Sequence, residues 1–95
     1  MSKLDAEQIA HRLKTVPDWK QRNKLISRTY VFKGFPDSIK FVDRVARKAE
    51  DMNHHPDLDI RWNKVTLTLT THDENGLTEN DFLLAQHCDR VSSRL

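Results

Sequence analysis

The sequence predicts an α+β fold in which a four-stranded antiparallel sheet carries three helices packed on one face. Three observations predict it. The segments Asp5-Ala6-Glu7-Gln8 and Thr78-Glu79-Asn80-Asp81 have the form of capping boxes, which open helices. Apolar residues recur at helical spacing between Ser38 and Met52. The remaining apolar segments alternate with polar residues and are joined by turns too short for parallel crossovers.

Behind the first capping box, Ala6, Ile9, Ala10 and Leu13 form one apolar face, and the helix should close before Pro17. Trp19 opens an extended segment. Leu25 to Phe32 is rich in β-branched and aromatic residues and reads as a strand. Gly34-Phe35-Pro36-Asp37 is a break and a helix start. The second helix carries Ile39, Val42, Val45, Ala46 and Ala49 at helical spacing. Pro56 cannot continue it and pushes His55 toward extended geometry. Leu58, Ile60 and Trp62 then alternate with Asp57, Asp59 and Arg61. After Asn63-Lys64, Val65, Leu67 and Leu69 alternate with threonines, giving a hairpin with one buried face. Asn75-Gly76 marks a turn. Leu84, Cys88, Val91 and Leu95 mark the apolar stripe of a last helix. The predicted order is α-β-β-α-β-β-α, and short connections imply an antiparallel sheet.

The 95 residues make one domain, expected to span 1–95. A chain this short buries only roughly 60 to 65% of its unfolded surface, so self-association would help it. Hydrophobic residues are 37% and charged residues 32%, the composition of a soluble, ordered protein. The net charge of +2 comes from interleaved signs, and no Lys/Arg block forms a stripe for nucleic acid. Cys88 is the single cysteine, which excludes an internal disulfide. No apolar run is long enough to cross a membrane, and the expected compartment is a reducing cytoplasm.

The chemistry-bearing run is Glu50-Asp51-Met52-Asn53-His54-His55-Pro56, followed by His72 at a distance that two short strands can span. Imidazole titrates near neutral pH, so it can give and take protons within one turnover. Glu50 precedes His54 by four residues and, on one helix face, would reach it. Each candidate has a plainer reading. Adjacent histidines in a surface loop are more often solvated than catalytic, and His72 at a strand end is more often a turn residue. Glu50 could pair only with Arg47 or Lys48, and Asp81 could only cap a helix. Trp19 and Trp62 read as core or pocket wall. His11 and His87 fall away from the cluster. Adjacent histidines diverge, and the His-Glu-x-x-His and Cys-x-x-Cys spacings are absent, so no metal is expected. Cys88 in an apolar stripe reads as an inert thiol.

The connected pattern Glu50, His54-His55-Pro56, Trp62, His72 and Asp81 resembles the pterin-4a-carbinolamine dehydratase family. The flanks agree: Trp19, Phe32-Lys33-Gly34-Phe35, Arg44-Val45-Ala46, Asn63-Lys64-Val65 and Gly76-Leu77-Thr78-Glu79. One departure is Leu58, where some members carry tryptophan, and it bears on pocket shape. The resemblance implies a four-stranded antiparallel sheet with three helices, and homodimers or homotetramers built through sheet edges and helices. It implies dehydration of a 4a-hydroxytetrahydropterin to the quinonoid dihydropterin, with no metal or organic cofactor. His54 and His72 would be the acid/base pair. His55 would orient the substrate hydroxyl, and Glu50 would hold His54 in its tautomer. Asp81 would support His72, and Trp62 would wall the substrate site. The competing reading is a protein-binding module, either a partner of a transcription factor or an assembly scaffold. Scaffold members tend to lack the histidine pattern, which this chain keeps.

Overall fold

The computed structural model of the protein describes residues 2–95. Helix α1 spans Ala6–Leu13, strand β1 Lys20–Arg22 and strand β2 Leu25–Val31. Helix α2 spans Phe35–Met52, strand β3 Asp57–Arg61, strand β4 Lys64–Leu69 and helix α3 Glu79–Ser92. A single turn of 3-10 helix, His72–Glu74, lies between β4 and α3. The sheet has the order β1-β2-β4-β3, and every neighbouring pair is antiparallel. Two hairpins are thus joined through α2 and pair along their inner strands. This is the α+β arrangement the sequence predicts.

Local chemistry explains the element ends. Asp5 Oδ1 accepts from the Gln8 backbone N–H at 2.8 Å, and Gln8 Oε1 accepts from the Asp5 N–H at 2.9 Å. Both bonds satisfy donors that a helix start leaves free. Helix α2 begins at Phe35, three residues before the first residue of the predicted span, with Pro36 in its first turn. Proline fits there because its missing N–H would have had no partner. The helix ends where Asn53 takes a left-handed conformation, φ 51 and ψ 44. The His54 N–H then reaches back to the Ala49 carbonyl at 2.9 Å, closing the last turn.

The core lies between one sheet face and the helices. Ile26 and Tyr30 of β2 and Val65, Leu67 and Leu69 of β4 meet Phe41, Val45 and Ala49 of α2. Phe82, Ala85 and Cys88 of α3 complete it. The other sheet face is a row of hydroxyls, with Thr29 and Thr66 bonded at 2.8 Å. Asp89 of α3 ties the helix to the sheet: its Oδ1 accepts from Trp19 Nε1 at 2.9 Å, Arg28 Nη1 at 2.7 Å and the Tyr30 hydroxyl. Burial, then the bond to Asp89, holds the Tyr30 phenol far above its ordinary range. Among the described residues, no helix is long and apolar enough to cross a membrane.

Two expectations on the second hairpin change. Trp62 is not in a strand but in the connecting turn, at φ 51, and it is 69% exposed. Leu58 and Ile60 pair with Leu67 and Val65, so they point to the core face, yet they remain 39% and 38% exposed. Strand β3 is the sheet edge, and the helices do not reach over it. Alternation gives the face of a strand but not whether anything covers that face.

Burial and then the charge of Asp89 push the Cys88 thiol up to about 12. The unfolded value is near 8.5, so stability is fully present below that pH and is lost as pH rises toward the folded value. Native protein at about pH 8 should react with a thiol reagent roughly a thousandfold more slowly than protein in denaturant. Equal rates in the two conditions would mean that α3 opens readily.

Candidate active site

The end of α2, the end of β4 and the start of α3 meet at one edge of the molecule. His54 is 8% exposed there, and its Nε2 lies 2.6 Å from Oδ1 of the fully buried Asp81. Asp81 is the third residue of α3, where its Oδ2 accepts from the Thr78 backbone N–H at 2.9 Å. The Thr71 hydroxyl, two residues past β4, also reaches Oδ2, at 2.8 Å. A buried carboxylate is tolerated when its oxygens are occupied in this way. The cap and the histidine partnership are therefore one side chain in two roles.

This pairing corrects two expectations. Asp81 supports His54 rather than His72. Glu50 does not reach His54; its Oε1 meets His55 Nε2 at 2.9 Å, with the two side chains 76% and 59% exposed. The cause is Asn53. Its left-handed backbone takes the chain off the helix before His54, so four-residue helical spacing no longer applies. His54 turns inward to α3 and His55 stays over the last turn of α2. The Glu50–His55 pair is solvated and contributes little stability.

His54, His55 and His72 line one shallow cavity of about 210 Å³, together with Asn53, Thr70, Thr71 and Asp73. The sequence places these imidazoles on neighbouring elements, and the fold brings all three to the same opening. His72 is exposed in the 3-10 turn, just past the strand. Trp62 does not join them. It lies at the opposite end of the β3–β4 hairpin, on the order of 17 Å away along a five-residue strand. A larger depression of about 870 Å³ runs along β1 on the open sheet face, but no histidine lines it. The smaller cavity holds the groups suited to proton exchange. Thr71 and Asn53 are the site residues that sequence reasoning missed. Only the Asn53 side-chain type, which tolerates left-handed backbone, gave a signal.

Asp81 ionised can only accept, so the hydrogen in the 2.6 Å contact belongs to His54 Nε2. In neutral His54 the Nδ1 lone pair is then free. The arrangement is a carboxylate-held imidazole ready to take a proton, with a second imidazole across the opening. Among the described residues, no group of three or more His, Cys, Asp or Glu is placed to hold a metal ion. His87, on α3, stays outside the site; burial, then Lys48, Arg90 and Arg94, lowers its pKa.

Known proteins resemble the whole chain. A family model described as pterin 4 alpha carbinolamine dehydratase matches residues 2–91. A protein of Thermomicrobium roseum, provisionally named a pterin-4-alpha-carbinolamine dehydratase, is 45% identical over 98% of this chain and 100% of its own. A provisionally so-named protein of Chloroflexus aurantiacus is 50% identical over 96% of this chain and 98% of its own. Among solved structures, a transcriptional coactivator/pterin dehydratase from Brucella melitensis superposes with a TM-score of 0.93 at 30% identity, covering 96% of this chain and 99% of that one. A pterin dehydratase-like RuBisCO assembly factor of the alpha-carboxysome shares the fold, with a TM-score of 0.68 at 19% identity over 79% of this chain and 92% of that one. The chain belongs to the pterin-4a-carbinolamine dehydratase family.

Proposed function

We propose that the protein is a hydro-lyase that removes water from a 4a-hydroxytetrahydropterin to give the quinonoid dihydropterin, in support of tetrahydropterin recycling. The observation that carries this reading is the buried His54–Asp81 pair opening onto a cavity shared with His72. The elimination needs two proton transfers. His54 Nδ1 takes the proton from the ring nitrogen next to C4a, and that nitrogen's electrons form the new C=N bond. The C4a–O bond breaks with its electron pair on oxygen, and His72 supplies the proton that completes water. His72 is solvated, so it regains its proton from bulk water. His55 orients the departing hydroxyl, and Glu50 orients His55. The cavity is small and open, so the pterin's side chain projects outward.

The test is the dehydration of freshly generated 4a-hydroxytetrahydropterin, followed spectroscopically with chelator present. His54→Ala and His72→Ala should each lower kcat by on the order of a hundredfold or more with the fold intact. His55→Ala should mainly raise KM. Unchanged turnover in the first two variants would remove the acid/base assignment.

Asp81 and Glu50 separate sharply in this scheme. Two donors fix Oδ2 of Asp81, so in Asp81→Asn the amide oxygen takes that place and the NH₂ faces His54. His54 Nε2 must then accept, which moves the ring proton to Nδ1, the wrong tautomer. Turnover should fall on the order of a thousandfold or more, whereas Glu50→Gln should change it by less than about tenfold. Equal losses would contradict the pairing.

The reading includes a homodimer or homotetramer. Leu58 and Ile60 leave an apolar sheet edge open, and Phe35 and Ile39 are 50% and 41% exposed one turn apart on α2. Sedimentation should give a mass above one chain, and Leu58→Lys or Ile39→Lys should shift it toward monomer. A wild-type monomer at tens of micromolar would remove self-association from the proposal, being weaker than about −6 kcal/mol.

A further inference from the structure

We propose that Thr71 is a positioning residue whose hydroxyl aims the Asp81 carboxylate at His54; this rests on the dehydratase reading and deepens it. Counting protons carries the argument. Thr71 Oγ1 lies 2.8 Å from Asp81 Oδ2 and 2.8 Å from Thr78 Oγ1. A hydroxyl has one proton to give, and an ionised carboxylate can only accept. The Thr71 proton therefore goes to Asp81, and the Thr78 hydroxyl donates to Thr71. The chain of donors has a single direction: Thr78 to Thr71 to Asp81. The Thr78 backbone N–H adds a second donor to the same Oδ2, at 2.9 Å.

The consequence lies on the other oxygen. With Oδ2 occupied by two donors, Oδ1 is the acceptor left for His54, at 2.6 Å. The two donors hold the carboxylate with Oδ1 toward His54, whose Nε2 keeps its hydrogen because a carboxylate only accepts. Thr71 is itself fixed. Its N–H donates to the Gly76 carbonyl at 2.9 Å, and its carbonyl accepts from the Gly76 N–H at 3.3 Å and the Glu74 N–H at 3.1 Å. Thr71 also directly precedes His72. One short backbone segment thus aims the carboxylate that holds one imidazole and carries the other.

The experiment labels histidine with ¹⁵N and compares wild type with Thr71→Val, Thr71→Ala and Thr71→Ser at about pH 8, where imidazole is ordinarily neutral. Wild-type His54 should show the Nε2–H tautomer with a far-downfield, slowly exchanging proton in the 2.6 Å bond. The valine and alanine variants should keep the tautomer, because the carboxylate still only accepts, but their Nε2 proton should move upfield and exchange faster. Their kcat should be on the order of tenfold lower, the effect of one lost bond to a charged group, with KM within about twofold. Thr71→Ser keeps the hydroxyl and should restore both readouts. An unchanged Nε2 proton signal and normal kcat in Thr71→Val or Thr71→Ala would overturn the proposal. So would a serine variant that behaves like valine, because the methyl group would then be the active part. If the valine variant does not fold, alanine against serine decides alone. The proton readout needs no substrate, so absence of turnover in wild type would sink the dehydratase reading and leave this one decided separately.

Discussion

A carboxylate with no solvent exposure must have its oxygens occupied, and in this protein that constraint falls on Asp81. Meeting it draws three parts of the chain to one point. The Thr78 N–H comes from the helix start, the Thr71 hydroxyl from just past β4, and the His54 imidazole from the connection after α2. None of the three alone would justify burying a charge. Together they make the edge of the molecule where the histidines gather a structural necessity as well as a chemical one. Removing the carboxylate would leave three donors facing nothing, so stability should fall with it.

The second constraint is the left-handed residue Asn53. A helix continued through it would stack His54 over Glu50 and send the imidazole into solvent. Leaving the helix one residue earlier sends His54 inward to a buried partner and His55 outward to an exposed one. Two adjacent histidines thereby acquire different surroundings, one dry and rigid, the other wet and loosely held. The proline after them keeps the chain extended into β3, so the divergence persists.

Much of the fold is legible in the sequence because it follows from local chemistry. The capping boxes at Asp5 and Thr78, the helical spacing through α2 and the alternation in β4 each act within a few residues, and each element lies where these signals put it. What depends on separated residues is not legible. Alternation along Leu58, Ile60 and Trp62 could not show that β3 is an edge or that Trp62 falls in the turn. The candidate site follows the same division. The residue set follows from spacing and resemblance, but the convergence of the three histidines on one cavity does not, because it depends on the turns between their elements. The partner of each histidine turns on the backbone angle at Asn53, and helical arithmetic assigns it wrongly. The Trp19, Arg28 and Tyr30 contacts with Asp89 have no local signature at all.

In the proposed elimination, the asymmetry between His54 and His72 serves better than two equivalent imidazoles would. The group that takes a proton from the pterin ring must present one nitrogen at a fixed angle, and a buried, doubly anchored carboxylate supplies that fixity without motion. The group that protonates the departing hydroxyl must be recharged after every turnover. An exposed imidazole on a single 3-10 turn does so directly from water. Burying both would slow the return of the proton, and exposing both would lose the tautomer. The fold resolves this by placing one histidine behind the helix end and the other on the loop across the opening, with Thr71 and Asp81 linking the two at their base.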